Sequence, residues 1–353
     1  MIHRIRILIA ATALALSSGL APPAAARPDL ADWPDSSVLA EFDPQRVTFA
    51  SHSPFTLWDV GKSELLDPAT AGQGYLFLPA GASADAPAPA VVMLHGASGV
   101  KSTRELTYGA QFARMGVAAL VVDAFAARRD RATRFIDRLI EITETMLIAD
   151  AYAGLRFLAA RPEVDADRVG LIGFSYGAMA TVFAAYRQVA ERFNPDGPWF
   201  AAHIAFYGPC IARFDDTRAT GAPVLMLAGS EDAIVDADRC RQILDDLAEG
   251  GAETELIVFQ GAYHQWDGGR SGPYMIGRNL ADCRLNVNDR GLVRDWRTLL
   301  PMTGTFTRKL ILAACADSEG YLIGGDAAVR ARSNAALGRF LEDAFARAAP
   351  SPR

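Results

Sequence analysis

Seven short apolar runs, each stopped by turn-forming residues, constrain this chain more than any other feature of it; they fall at residues 74–78, 90–94, 117–122, 168–174, 201–207, 223–228 and 255–259. Between and after them lie helical patterns at 103–115, 146–160, 178–186, 236–247 and 327–345. In the second of these, Leu147, Ala151, Leu155 and Leu158 share one face. A near-continuous apolar strand must be covered on both faces, and strand–helix alternation supplies that cover. The expected fold is therefore α/β, a mostly parallel central sheet with helices on both faces. Segments 47–60 and 74–78 come first with no helix between them, which predicts an antiparallel start.

One of the strand–helix junctions carries chemistry. The run 168–174 ends in Gly173-Phe174-Ser175-Tyr176-Gly177, a G-x-S-x-G spacing followed directly by a helical pattern. A serine on so tight a turn sits in strained backbone, and the flanking glycines leave room for neighbouring chain. The helix that follows aims its first N–H groups at the oxyanion formed when the serine attacks a carbonyl. Ser175 is the candidate nucleophile.

Its base must be a histidine, and the chain has five: His3, His52, His95, His203 and His264. In this architecture the order is nucleophile, acid, histidine, and only His264 follows both Ser175 and an acidic loop. His203 sits inside an apolar strand and reads as a core histidine. The acidic loop follows the strand at 223–228 and reads Gly229-Ser-Glu-Asp-Ala-Ile-Val-Asp236. Asp232 is the preferred acid, because the apolar residues after it hold it against the sheet edge. Asp236 reads as a helix N-cap, and Glu231 stays as the alternative acid. For the oxyanion hole, one donor is the backbone N–H of Tyr176. A second comes from Gly96 or Ala97, in the His95-Gly-Ala-Ser-Gly99 loop after another strand. Tyr176, Tyr263 and Trp266 either wall an acyl pocket or simply pack around the triad.

Composition excludes several classes. With 353 residues, half of them hydrophobic and 22% charged, the chain is neither disordered nor fibrous. A net charge of −6 with no long basic cluster disfavours nucleic acid and anionic membrane surfaces as partners. Residues 1–26 have the pattern of a secretory signal peptide: Arg4 and Arg6, an apolar run at 7–16, then Ala24-Ala25-Ala26. That run is shorter than the roughly 20 residues of a membrane span. The expectation is an exported protein, periplasmic or secreted, cleaved near Ala26, with no membrane attachment afterwards. The remainder, 27–353, reads as a single domain. Its four cysteines suit an oxidising compartment, and sequential pairing, Cys210 with Cys240 and Cys283 with Cys315, is expected. No spacing among them suggests a metal site. The stretch from about 265 to 325 has little periodicity except near 306–314, and is read as a largely irregular excursion clipped by the second cysteine pair.

Taken together, these motifs resemble the dienelactone hydrolase family of the α/β-hydrolase fold. The resemblance rests on His95-Gly96, on Val122-Asp-Ala-Phe-Ala-Ala-Arg128, on the elbow around Ser175, on Gly229-Ser-Glu-Asp232 and on Gly261-Ala-Tyr-His264. It implies Ser175, Asp232 and His264 as the triad and Arg128 near the substrate pocket; His95, which organises its loop and is not the base, is read as a further substrate-side residue. Arg128 and Arg129 would then meet a substrate carboxylate, or else belong to a solvated cluster with Asp130 and Arg131. Position 175 is serine where dienelactone hydrolases proper carry cysteine, which favours a general hydrolase of small carboxylic esters or lactones. Such chemistry needs no metal or organic cofactor. Two other readings share the fold: a prolyl-oligopeptidase-like peptidase and a catalytically inactive binding protein.

Overall fold

The computed structural model describes residues 29–348 except residue 271. The segment read as an export signal, 1–26, lies outside the described residues. In chain order the strands are β1 (Gln45–His52), β2 (Ala69–Phe77), β3 (Ala88–Leu94), β4 (Ala118–Val122), β5 (Val164–Phe174), β6 (Ala202–Phe206), β7 (Ala212–Phe214), β8 (Val224–Gly229), β9 (Thr254–Phe259), β10 (Tyr274–Ile276), β11 (Leu285–Val287), β12 (Val293–Asp295) and β13 (Tyr321–Ile323). The helices are α1 (Thr107–Arg114), α2 (Phe135–Glu141), α3 (Glu144–Ala159), α4 (Tyr176–Ala184), α5 (Arg187–Phe193), α6 (Ala237–Glu249), α7 (Thr305–Cys315) and α8 (Ala327–Arg347).

Eight of the strands form the main sheet in the order β1-β2-β4-β3-β5-β6-β8-β9. β1 pairs antiparallel with β2, and β2 antiparallel with β4, as the missing first crossover helix requires. Every later pairing in the sheet is parallel. Side chains alternate between the two faces of a strand, yet every residue of β3, β4, β6 and β8 is buried. Both faces are therefore covered. Glycines let the covering layers close in. A β-carbon on Gly154 of α3 would stand 2.9 Å from Leu120 on β4.

The region 265–325 is more regular than its sequence suggests. β11 pairs antiparallel with β12 and parallel with β7, and β10 pairs antiparallel with β13. Strands of three residues are too short to show a period in the sequence. The one periodic patch, near 306–314, is α7. Cys210 joins Cys240 and Cys283 joins Cys315, the sequential pairing. Among the described residues, no helix is long and apolar enough to cross a membrane.

Candidate active site

β5 delivers Ser175 to the site. Its backbone turns at φ +52°, ψ −108°, a left-handed conformation that costs a serine energy and is tolerated because the surroundings fix it. Ser175 N–H donates to Phe206 O at 2.9 Å, tying the elbow to the end of β6. Gly177 rides over the end of β3, where a β-carbon would lie 2.4 Å from Leu94 O. Only glycine permits α4 to start so close to the neighbouring strand.

His264 and Asp232 arrive from the loops after β9 and β8. His264 Nε2 stands 2.9 Å from Ser175 Oγ, and His264 Nδ1 stands 2.7 Å from Asp232 Oδ2. A carboxylate can only accept, so Nδ1 carries the proton and leaves Nε2 as acceptor for the serine hydroxyl. Asp232 Oδ1 accepts from the N–H of Ile234, which orients the carboxylate. Glu231, the alternative acid, is exposed and accepts from Ser230 instead. Asp236 caps α6 through the N–H of Arg239, as expected. The imidazole is fully buried, and Ser175 is 8% exposed.

The loop after β3 lies against Ser175. A β-carbon on Gly96 would be 3.4 Å from Ser175 Cβ and 3.3 Å from Phe174 O. That closeness brings Gly96 beside the elbow. His95 shapes this loop: its Nδ1 bonds the carbonyl of Gly96 at 2.8 Å, and its ring packs on Phe125 with centroids 4.4 Å apart. Its Nε2 is buried without a hydrogen-bond partner among the described residues.

Arg128 departs from the expected role. Its side chain is buried and all five donors are taken: Nε by Ser53 Oγ, Nη1 by Ala124 O and Asp150, Nη2 by His52 O and Asp150. A guanidinium has five N–H groups, so none is left for a substrate carboxylate. The acid that Arg128 was expected to find in a ligand is Asp150 of α3. Arg129, Asp130 and Arg131 are exposed, which fits the solvated cluster. Trp266 belongs to the core as well, its indole N–H bonded to Ser333 and its ring packed on Phe206, Tyr207 and Phe259. His203 is buried in β6, and burial pushes its pKa down to about 3, so it is neutral.

Sequence reasoning missed two buried polar clusters, one beside His264 and one beside Tyr176. Tyr207, just past β6 at φ +45°, sets its ring 4.8 Å from the His264 imidazole and donates its hydroxyl to Asp267 at 2.6 Å. Arg104 donates to the same hydroxyl and pairs with Glu105. On the other side, Arg308 of α7 pairs with Glu144 at 2.8 Å and reaches the hydroxyl of Tyr176 at 3.1 Å. Burial opposes the Glu144 charge, but the Arg308 guanidinium outweighs it and holds the carboxyl below its ordinary value. The charged residues at 104, 105, 144, 267 and 308 were the signal in the sequence, and charge alone does not say which residues will be buried.

A mostly parallel sheet with a serine at a strand-to-helix elbow, and an acid and a histidine after later strands, defines an α/β-hydrolase. Within that class the chain belongs to the dienelactone hydrolase family, whose model matches residues 73–275, more than half of its length. It is thus a hydrolase of that family. A Bradyrhizobium protein named as a probable 2-oxo-3-(5-oxofuran-2-ylidene)propanoate lactonase is 23% identical over 190 residues, 50% of this chain and 72% of that one. Among solved structures, an esterase from Thermogutta terrifontis is 20% identical, covering 56% of this chain and 80% of its own, with a TM-score of 0.43. A dienelactone hydrolase-like promiscuous phosphotriesterase from metagenomic libraries is 19% identical, covering 64% and 85%, with a TM-score of 0.42. α7 and β13 lie outside the span matched by the family.

Proposed function

We propose that this protein is an exported serine hydrolase that cleaves a small carboxylic ester or lactone through an acyl-enzyme. The observation that carries the proposal is the chain of two hydrogen bonds from Ser175 Oγ through His264 to Asp232. Ser175 Oγ attacks the substrate carbonyl while His264 Nε2 takes its proton. Asp232 holds the imidazole in the productive tautomer and stabilises the imidazolium without taking the proton itself. The N–H groups of Tyr176 and of Gly96 or Ala97 receive the oxyanion, each worth on the order of 3 kcal/mol in the transition state. The tetrahedral intermediate collapses as His264 protonates the leaving oxygen. Water then attacks the acyl group with His264 again as base, and Ser175 is released. In a lactone, the leaving oxygen remains tethered to the acyl chain as a hydroxyl, so the second step releases a single hydroxy acid. The lactonase name of the Bradyrhizobium relative supports including lactones.

The two disulfides agree with an oxidising compartment and so with export. On the same proposal, residues 27–353 act as one unit. Leu30 supports this, because its carbonyl nests against Gly338 of α8, where a β-carbon would lie 2.2 Å away.

The test is hydrolysis of p-nitrophenyl acetate, butyrate and octanoate by wild type and Ser175→Ala, together with fluorophosphonate labelling. Wild type should hydrolyse at least one ester and be labelled at Ser175. Ser175→Ala should lose about 10³-fold or more in kcat and all labelling. Full activity in Ser175→Ala, or a wild type neither active nor labelled, refutes the proposal.

A further inference from the structure

We infer that Arg308 is a positioning residue for the serine elbow, acting through the hydroxyl of Tyr176, and that the segment from β10 to β13 is a working part of the active site. The inference rests on the serine-hydrolase reading above and assigns a role to residues that this reading does not use.

Tyr176 is the residue after the nucleophile and the first of α4. Its hydroxyl is held from two directions. It donates to Ile142 O at 2.8 Å and accepts from Arg308 Nη2 at 3.1 Å, with Glu144 Oε2 at 3.2 Å. The rest of the guanidinium is spent on the same neighbourhood. Nε donates to Leu139 O at 2.9 Å, and the two terminal nitrogens form the pair with Glu144. Tyr176, Glu144 and Arg308 are all buried. Two desolvated charges are a poor way to hold a helix in place, since apolar residues of similar volume do that as well or better. What an arginine–carboxylate fork adds is direction. Here the direction is toward the phenol whose own backbone N–H is the proposed oxyanion donor. The elbow has a strained backbone, and strain of that kind persists only where surrounding contacts overdetermine it.

The same segment also grips the base. His264 N–H donates to Leu322 O at 3.2 Å, and Gly324 N–H donates to His264 O at 3.0 Å, so β13 pairs with the backbone of the histidine itself. The Tyr321 ring lies edge-on to the imidazole with centroids 5.1 Å apart. Between α7 and β13, the chain is anchored by Cys283–Cys315 and by the reciprocal backbone bonds of Asn279 and Asp317. One tied-down segment therefore touches the nucleophile's neighbour at one end and the base at the other.

The test is a double-mutant cycle of Tyr176→Phe and Arg308→Lys, read as kcat and KM on p-nitrophenyl butyrate and as the rate of fluorophosphonate labelling. Arg308→Lys should lower kcat and the labelling rate by about tenfold with KM within about twofold, the signature of an interaction used in the transition state. In the Tyr176→Phe background, Arg308→Lys should change kcat by less than about twofold, because the hydroxyl it acts through is gone. Multiplicative effects, or an undiminished kcat in Arg308→Lys, overturn the inference. If Arg308→Lys does not fold, the charge-neutral pair Glu144→Gln with Arg308→Gln replaces it in the cycle and is held to the same criteria. A wild type that is never labelled sinks the serine-hydrolase reading instead, while a labelled wild type with an equally labelled Arg308→Lys sinks the positioning role alone.

Discussion

Gly173 and Gly177 approach so closely across the elbow that a β-carbon on Gly173 would stand 2.2 Å from the carbonyl oxygen of Gly177. The same β-carbon would meet Thr181 Oγ1 at 2.4 Å, and Thr181 is bonded back to Gly177 O at 3.0 Å. Backbone fills the space, so no rotamer change relieves the contact. Gly173→Ala should therefore cost roughly 3 kcal/mol or more of stability, or prevent folding. Urea unfolding with a secondary-structure probe checks this, and a variant as stable as wild type would show that the elbow can relax.

Asp232→Asn should act on chemistry more than on folding. An amide can present its NH₂ to the imidazole, which then donates in the wrong direction and loses the tautomer that Ser175 needs. A fall in kcat of about 10³- to 10⁴-fold is expected, with a small change in melting temperature. Steady-state kinetics beside a thermal scan would separate the two. Retained kcat would move the acid to another carboxylate, with exposed Glu231 next to examine.

Arg128 and Asp150 make a buried ion pair at 2.6 Å, and removing one partner leaves the other charged and unpaired. Arg128→Met should lower stability by about 3–5 kcal/mol. It should leave unchanged the ratio of kcat/KM for an acyl group carrying a carboxylate against a neutral one of equal size. A selective loss on the anionic ester would restore Arg128 to the substrate site.

His203 ties stability to pH. Its folded-state pKa is depressed from 6.5 to about 3 by burial, so below pH 6.5 the unfolded chain binds a proton that the folded chain refuses. The stability present above pH 6.5 is thus lost as the pH falls toward 3, at up to about 1.4 kcal/mol per pH unit from this group. His203→Leu should flatten that part of the profile of denaturant midpoint against pH. An unchanged slope would place the acid sensitivity elsewhere.

Several parts of this protein were legible in the sequence because their signals are local. Strand–helix alternation reports how each segment buries its own face, and it foretold the main sheet, including the antiparallel start at β1 and β2. The elbow was readable because two glycines and a serine within five residues meet a steric demand made within those five residues. With five histidines in the chain, the order of nucleophile, acid and base left one candidate, and His264 does lie 2.9 Å from Ser175 Oγ. Other features depended on residues far apart in the chain. Arg128 looked like a ligand contact until the fold brought Ser53 and Asp150 around it, 75 residues before and 22 after. Arg308 meets Tyr176 across 132 positions, and three-residue strands such as β13 carry no period of their own. Turn chemistry and hydrophobic period are properties of neighbours in sequence, so they survive in a string of letters. The partner of a charge, and whether that charge is exposed or buried, is set by how the layers close, and only the tertiary structure decided it.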